Sequence, residues 1–598
     1  MQTAEILLDV IQKRGIEGKP LERLYRKLFN KGIYRLAYSR IYANQGALTP
    51  GIVETDTLDG MSEERMDKII KKVKTGNYRW NPVRRTHIPK PKGGKRPLGI
   101  PSGEDKLLQA ALKILIETYY EPQFSERSHG FRPNRGCHTA LNQINQKHRD
   151  VSWFIEGDIK GCFDNIDHDI LLEIMGEKIK DQPLLRLLKN LMKSGYVEDW
   201  KWGETLSGTP QGGIISPLLS NIYMDKFDRW VEKTLLPDYN FGQVDQGNGH
   251  KTRRINPEYK RLSDRRVGAK RRGDKEAYKH YGNLMRKIPT RIDDENYRKL
   301  EYIRYADDFL LSFKGPKKEA EEIREKIKSY LKKELKLELS IEKTLITHAK
   351  TEKAKFLGYN LRIMQSESRR KANGAIWYGV PREVIGNAIK KHKKKDKITH
   401  RNELIAESDY SIISQYQAEY RGLVQFYTMA HNLDKLKKVE WVMGTSLLKT
   451  LAAKHKTSVA KTASRLKSRH KVNGVSYRIL EVKVEREGKK PLTTHFGGIP
   501  LTRSPSTKPI QDNIPKKRSK QRSEILTRMM AENCEMCGAA GPIEVHHVRG
   551  LKDLNQPGKK TKPAWVQRMA ALKRKTLMTC KQCHKAIHTG THRKEWTN

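Results

Sequence analysis

The stretch Tyr302-Ile303-Arg304-Tyr305-Ala306-Asp307-Asp308-Phe309-Leu310-Leu311 sets two apolar runs on either side of a polar pair. Such a pattern predicts a tight hairpin with Asp307 and Asp308 at its tip. Upstream, Trp153-Phe154-Ile155-Glu156-Gly157-Asp158 reads as a buried strand ending in another acid, with Phe163 and Asp164 following. Carboxylates crowded on a sheet repel one another, and burial adds to the cost of keeping them ionised. A pair of Mg²⁺ ions would remove both penalties, activate a 3′-hydroxyl and stabilise a leaving pyrophosphate, as in two-metal phosphoryl transfer. An isolated Asp-Asp pair is ordinary turn chemistry, so the weight rests on its context.

The chain has 598 residues, too many for one core, and calls for three or more domains. Lys and Arg number 119 against 69 acids, a formal charge of +50. A compact body so charged repels itself unless a polyanion neutralises it, which points to nucleic acid before a membrane surface. Hydrophobic residues at 36% and charged residues at 31% suit a folded chain with a large wetted surface. No stretch approaches the ~20 apolar residues of a membrane span. The segment Met1–Lys13 contains Glu5 and Asp9 and lacks a signal-peptide pattern, so secretion is not expected.

An amphipathic helical pattern runs through residues 16–50, with Leu21, Leu24, Tyr25, Leu28 and Phe29 at helical spacing. Residues 80–365 alternate strand-like and helical segments, as a mixed α+β domain does. Within them, Asp245 to Lys287 is very basic and short of aliphatics. It reads equally as charged helices or a loop over RNA and as a solvated helix pair. Residues 380–480 are predicted to be mainly helical and basic. Pro500, Pro505, Pro509 and Pro515 then mark a linker, which ends in the charge run Lys516, Lys517, Arg518, Lys520 and Arg522.

The last module carries Cys534-x-x-Cys537 and Cys580-x-x-Cys583, a set able to supply four thiolates to a tetrahedral Zn²⁺. A module this small gains much from a structural metal. Between the pairs sits Glu544-Val545-His546-His547-Val548, and His584 and His588 lie one helical turn apart.

Tyr305-Ala306-Asp307-Asp308 resembles the signature of reverse transcriptases, and Asp158 to Phe163 resembles their first palm motif. The resemblance implies Asp158, Asp307 and Asp308 as ligands of Mg²⁺, two ions in such enzymes, and Phe163 as the steric gate against a 2′-hydroxyl on the incoming dNTP. Gly208-Thr209-Pro210-Gln211-Gly212-Gly213 and Ser216 to Asn221 resemble the elements that face template and nucleotide, which makes Gln211 and Gly212 candidates. Lys90, Arg96-Pro97-Leu98-Gly99-Ile100-Pro101 and His129-Gly130-Phe131-Arg132-Pro133 resemble fingers motifs. Lys90 and Arg96 are candidate triphosphate clamps, or else ordinary surface cations. Leu339 to Thr344 and Phe356-Leu357-Gly358-Tyr359 resemble later palm motifs, with Lys343 toward the pyrophosphate and Gly358 toward the primer.

Order and wording of these motifs resemble group II intron-encoded proteins from about residue 20 to the C-terminus. Tyr420-Arg421-Gly422 with Phe426-Tyr427, and Leu451 to Lys456, resemble the thumb or maturase (X) region. Arg421, Lys454, His455 and Lys456 are then candidate RNA contacts. The tail resembles an HNH, or ββα-metal, nuclease. That implies His547 as general base and His546, His584 and His588 around a catalytic divalent ion. Where many HNH modules place an asparagine this chain has Thr576, which leaves the orienting role unassigned and a DNA-binding zinc ribbon as the alternative.

The expected architecture is therefore multidomain α+β. A right-hand polymerase of fingers and palm spans 1–365, with the basic insertion at about 240–298. A helical thumb/maturase domain follows at 366–480, a basic DNA-binding segment at 481–525, and the zinc-containing HNH module at 526–598. The implied partners are the intron RNA, held as a ribonucleoprotein with the excised lariat, target DNA and dNTPs, with no membrane. The implied setting is bacterial cytoplasm or an organellar matrix. Rivals are a reverse transcriptase of another bacterial retroelement and a maturase that only chaperones RNA. The thumb-plus-nuclease C-terminal half disfavours the first, and the intact acids disfavour the second.

Overall fold

The computed structural model describes residues 3–44, 46–89, 93–198, 201–203, 212–242, 244–245, 251–252, 254–292, 294–365, 373–486, 489–504, 524–549, 554, 563–572 and 574–591. Lys90, Gln211 and the basic run 516–522 lie outside them.

The acid-bearing strands meet in a five-stranded sheet. Its order is Ile346–His348, Trp153–Asp158, Asp308–Lys314, Lys299–Tyr305, Ser128–His129. The predicted hairpin forms with Tyr305 opposite Asp308, leaving Ala306 and Asp307 as its turn. Ala306 takes φ 56°, a left-handed conformation that costs a side chain roughly 1–2 kcal/mol. Arg304 holds that turn. Its Nη1 donates to the Ala306 carbonyl at 2.7 Å, and Nη2 donates to Ser128 Oγ at 2.8 Å. Nε and Nη2 also hold the Asp228 carboxylate at 2.8 and 2.6 Å, with both partners wholly buried. Removing one partner strands a charge in the core, at a cost of about 3–5 kcal/mol. Arg304→Leu should therefore lower the thermal unfolding midpoint, whereas Arg304→Leu with Asp228→Leu should recover much of the loss. Equal midpoints for the single variant and the wild type would show that the pair contributes nothing.

Helices Gly103–Tyr120, His168–Lys178, Gln182–Met192 and Ser216–Trp230 contribute buried faces to the same core. A second sheet joins Lys95–Ile100, Val83–Pro89, Tyr196–Glu198 and Lys201–Gly203 in that order. The basic insertion contains a helix pair, Pro257–Arg271 and Lys275–Lys287, and Ala269 is the one buried residue of those two helices.

Two expectations need correction. Leu21, Leu24, Tyr25, Leu28 and Phe29 do not sit on one α-helix. Leu21 is in a short strand paired with Ile179, and Tyr25–Phe29 is a 3₁₀ turn. Burial of Leu21, Leu24 and Leu28 produced the helix-like spacing without a helix; the α-helix here is Lys31–Ile41. Second, the region 380–480, predicted to be mainly helical, is so as far as Leu466, with α-helices Arg382–Lys390, Asp409–Phe426, Lys437–Lys454 and Val459–Leu466. A three-stranded antiparallel sheet then follows: Lys467–Val472, Val475–Arg486 and Lys489–Gly497. It packs on helix Asp409–Phe426 through Phe496 and through Gln417 Nε2, which donates to the Gly497 carbonyl at 3.1 Å. The expected boundary at 480 thus falls inside a strand. That strand carries five charged residues and buries only Ile479, so it lacks the continuous apolar run that marks a buried one.

The terminal module is built from helix Glu524–Met530, the antiparallel strands Ile543–His547 and Thr576–Cys580, and helix Lys581–Thr589. Its apolar residues Val545, Leu577 and Met578 share one core with Leu58, Met61 and Tyr38 of the N-terminal region. No helix among the described residues is long and apolar enough to cross a membrane.

Candidate active sites

Strand pairing places Asp158 directly opposite Asp308, and Asp307 follows in the adjoining turn. Burial, then the Asp307 and Asp158 charges, push the Asp308 carboxyl up to about 7. Burial and Asp158 likewise raise Asp307. Crowded carboxylates, two of them with ionisation opposed by burial, are a donor set that divalent cations fit, because the cation supplies the missing charge. Lys343 stands beside them, its Nζ donating to Asp158 Oδ2 at 2.8 Å. That hydrogen bond raises the Lys343 pKa. Arg96 lies exposed on the hairpin of Val83–Pro89 and Lys95–Ile100, and its charge is felt at Asp307. Phe163 meets Phe131 edge to face at 6.0 Å. Gly212 takes φ 107°, and a Cβ there would lie 2.5 Å from the Gly99 carbonyl. Only glycine permits that close approach to the Arg96 strand.

In the tail, the four cysteine sulfurs all lie within 4.8 Å of one another. Cys537 and Cys580 are 3.8 Å apart and none of the four forms a disulfide. Zn–S bonds of about 2.3 Å in a tetrahedron put sulfurs roughly 3.8 Å apart, so Zn²⁺ fits this set.

Strand alternation sends Glu544 and His546 to one face and His547 to the other. On the first face His546 packs against His584 and His588, with ring centroids 5.4 and 5.2 Å away. His584 Nε2 and His588 Nε2 approach to 3.2 Å. Both ring nitrogens of the buried His546 lack a hydrogen-bond partner. Converging nitrogens, one ring of them orphaned, suit a divalent ion. Glu544 Oε2 accepts from His584 Nδ1 at 2.7 Å, which fixes the ring and leaves Nε2 for the ion. The sequence displayed Glu544 beside the histidine pair but not this role. Burial lowers the His546 pKa to about 4. For His584 burial acts the same way, but hydrogen bonds to Asp59 and Glu544 prevail and raise it to about 9.

His547, the expected base, turns its Nδ1 to the Val545 carbonyl at 3.0 Å. That contact fixes the orientation of the His547 ring. Thr576 itself pairs with His547 across the strands and receives Arg528 Nη1 at 3.2 Å. Sequence reading also missed Asp59 and Tyr38, far off in the chain. Asp59 Oδ2 is 2.9 Å from His588 Nε2, and the Tyr38 hydroxyl is 3.1 Å from His547 Nε2. Burial opposes ionisation of Asp59, yet hydrogen bonds from His547 and His584 and the nearby imidazoles hold its pKa well below the usual carboxylate range.

Of the expected RNA contacts, Arg421 and Lys456 are exposed. Lys454 Nζ and His455 Nε2 are engaged by Asp409, at 2.7 and 2.8 Å.

Comparison with known proteins adds three family matches. Reverse transcriptase (RNA-dependent DNA polymerase) matches residues 88–244 and 276–361. Type II intron maturase matches 385–498, and AI2M/AI1M-like HNH endonuclease matches 534–584. Group II intron-encoded protein LtrA of Lactococcus lactis subsp. cremoris is 38% identical over 620 residues, spanning 98% of this chain and 99% of that protein. A 91 kDa protein in the cob intron of Schizosaccharomyces pombe is 32% identical over 609 residues, spanning 97% of this chain and 72% of that protein.

Proposed function

Because this chain belongs to the group II intron-encoded proteins and carries reverse transcriptase, maturase and HNH endonuclease domains, we propose how its residues divide the work. The observation that carries the reading is the register that sets Asp158 against Asp308 with Asp307 in the adjoining turn. Asp158, Asp307 and Asp308 hold two Mg²⁺ ions in the palm of a right-hand polymerase, fingers and palm within 1–365. Those ions supply Lewis acidity at the primer 3′-oxygen and the leaving pyrophosphate. Lys343 leaves Asp158 to meet the triphosphate, joined by Arg96 and Lys90 from the fingers. Phe163, braced by Phe131, excludes the 2′-hydroxyl. Gly212 and Gln211 face the template and the nucleotide.

The thumb/maturase region binds the chain's own intron RNA, with Arg421 and Lys456 as exposed cations and Lys454 and His455 available on release from Asp409. The basic segment within 481–525 follows target DNA. In the ββα-metal module Cys534, Cys537, Cys580 and Cys583 hold a structural Zn²⁺. His546, His584 and His588 hold a catalytic divalent ion, and His547, oriented by the Val545 carbonyl, takes a proton from water. As a ribonucleoprotein with the excised lariat, the protein nicks one target strand and extends the new 3′ end into cDNA. Its setting is the bacterial cytoplasm or an organellar matrix.

The RNA part is tested by competition. A charge of +50 gives salt-sensitive phosphate binding to any RNA, whereas shape and unpaired loops give specificity. Intron RNA should outcompete an unrelated structured RNA, and its advantage should persist as salt is raised. Equal competition at every salt concentration would leave only non-specific binding.

A further inference from the structure

The turn Asp59-Gly60-Met61 of the N-terminal region lies across the nuclease centre. Gly60 N–H donates to the Val545 carbonyl at 3.0 Å, and Val545 N–H donates to the Met61 carbonyl at 3.1 Å. The His547 N–H donates to Asp59 Oδ1 at 2.7 Å. Asp59 Oδ2 lies 2.9 Å from His588 Nε2 and 3.4 Å from His584 Nε2. With His546 these side chains form a four-residue donor set whose ligand atoms are all within 4.8 Å of one another. A Cβ on Gly60 would come within 3.2 Å of His584 Cε1, so the turn lies flush on that ring. On the opposite face of the strand, Tyr38 covers His547 Nε2, and the His547 side chain is 2% exposed.

We propose that Asp59 is a fourth ligand of the nuclease's divalent ion, delivered by the N-terminal region, and that the 59–61 turn keeps the nuclease latent until DNA displaces it. A catalytic metal centre keeps a coordination position open for the scissile phosphate. A carboxylate is an oxygen anion like the phosphate, and beside three imidazoles it takes that position. The base needs a water within about 2.6–3.2 Å, but its free nitrogen is held by Tyr38. Both covers belong to the N-terminal region, the turn on one face and helix Lys31–Ile41 with Tyr38 on the other, so parting that region from strand Ile543–His547 frees both. His588, 54% exposed, marks the side on which the ion faces solvent and an incoming phosphate can approach. This inference rests on assigning His546, His584 and His588 to the ion.

The test uses full-length protein with Mn²⁺ as the probe, after zinc content and melting confirm that each variant is folded. Electron paramagnetic resonance titration should show Mn²⁺ bound at least tenfold more weakly by Asp59→Asn and by His588→Ala. Weakening by His588→Ala alone overturns the Asp59 ligand, whereas no weakening by either overturns the histidine assignment beneath it. At saturating Mn²⁺ Asp59→Asn combined with Tyr38→Phe, which removes both covers, should nick supercoiled plasmid at least tenfold faster than wild type, and an equal or slower rate overturns latency. Without any substitution, amide exchange at Val545 and His547 should be slow in the free protein and accelerate when the ribonucleoprotein binds target duplex. Protection retained in both states overturns the displacement.

Discussion

Asp308→Asn and Asp307→Asn should each make no measurable cDNA on a primed RNA template with Mg²⁺. Loss of one carboxylate from a two-metal site removes several kcal/mol of charge stabilisation. At about 1.4 kcal/mol per tenfold, that is a fall of roughly a thousandfold or more. The defect should be chemical, not structural. Burial and two neighbouring acids hold the Asp308 carboxyl near 7, well above its value in an unfolded chain. Folding therefore disfavours its ionisation, and metal-free stability falls as pH rises from about 4 toward 7. An asparagine carries no such penalty, so metal-free Asp308→Asn should melt no lower than wild type at pH 8. RNA affinity should also be nearly unchanged. Near-normal extension by both variants would remove the assignment of these acids.

The second large effect separates two metal roles in the tail. His547→Ala should cut strand nicking by roughly 10²–10⁴, the usual worth of a general base. It should leave zinc content, cDNA synthesis from an artificial primer and RNA splicing in place. Cys580→Ser should instead lose zinc and with it the order of the module, because structural Zn²⁺ contributes about 10 kcal/mol or more to folding of such units. Its hallmark is a loss of slow amide exchange across strands Ile543–His547 and Thr576–Cys580. A zinc-replete His547→Ala protein that nicks at the wild-type rate would leave the tail a DNA-binding zinc module or one with another base.

The parts legible in the sequence were those with strong local periodicity. The Tyr302–Leu311 hairpin, the strand ending at Asp158 and the two Cys-x-x-Cys pairs each declare themselves within a dozen residues. What escaped was set by contacts between distant segments. Asp228 and Arg304 look like a helix-surface acid and a misplaced strand cation until the fold buries them together. Asp59 precedes the nuclease by nearly the whole chain, and no spacing rule connects it to His588. The charged strand Val475–Arg486 hid because Ile479 is its one buried residue and its exposed residues fall on both faces. Its pattern is therefore too polar to separate from a basic linker. Lys454 and His455, read as exposed cations, are paired by Asp409 at the start of a packed neighbouring helix.

On the proposed assignment, one chain nicks DNA with its tail and copies RNA from the resulting end with its palm acids. A strand-resolved assay on reconstituted ribonucleoprotein, with target duplex labelled on both strands and dNTPs present, tests it most directly. Wild type should nick one strand and extend that 3′ end into cDNA. Asp308→Asn should nick and stop. His547→Ala should do neither on intact duplex, yet extend when the nick is supplied beforehand. Extension on intact duplex by His547→Ala, or by Asp308→Asn, would rule out this division of work.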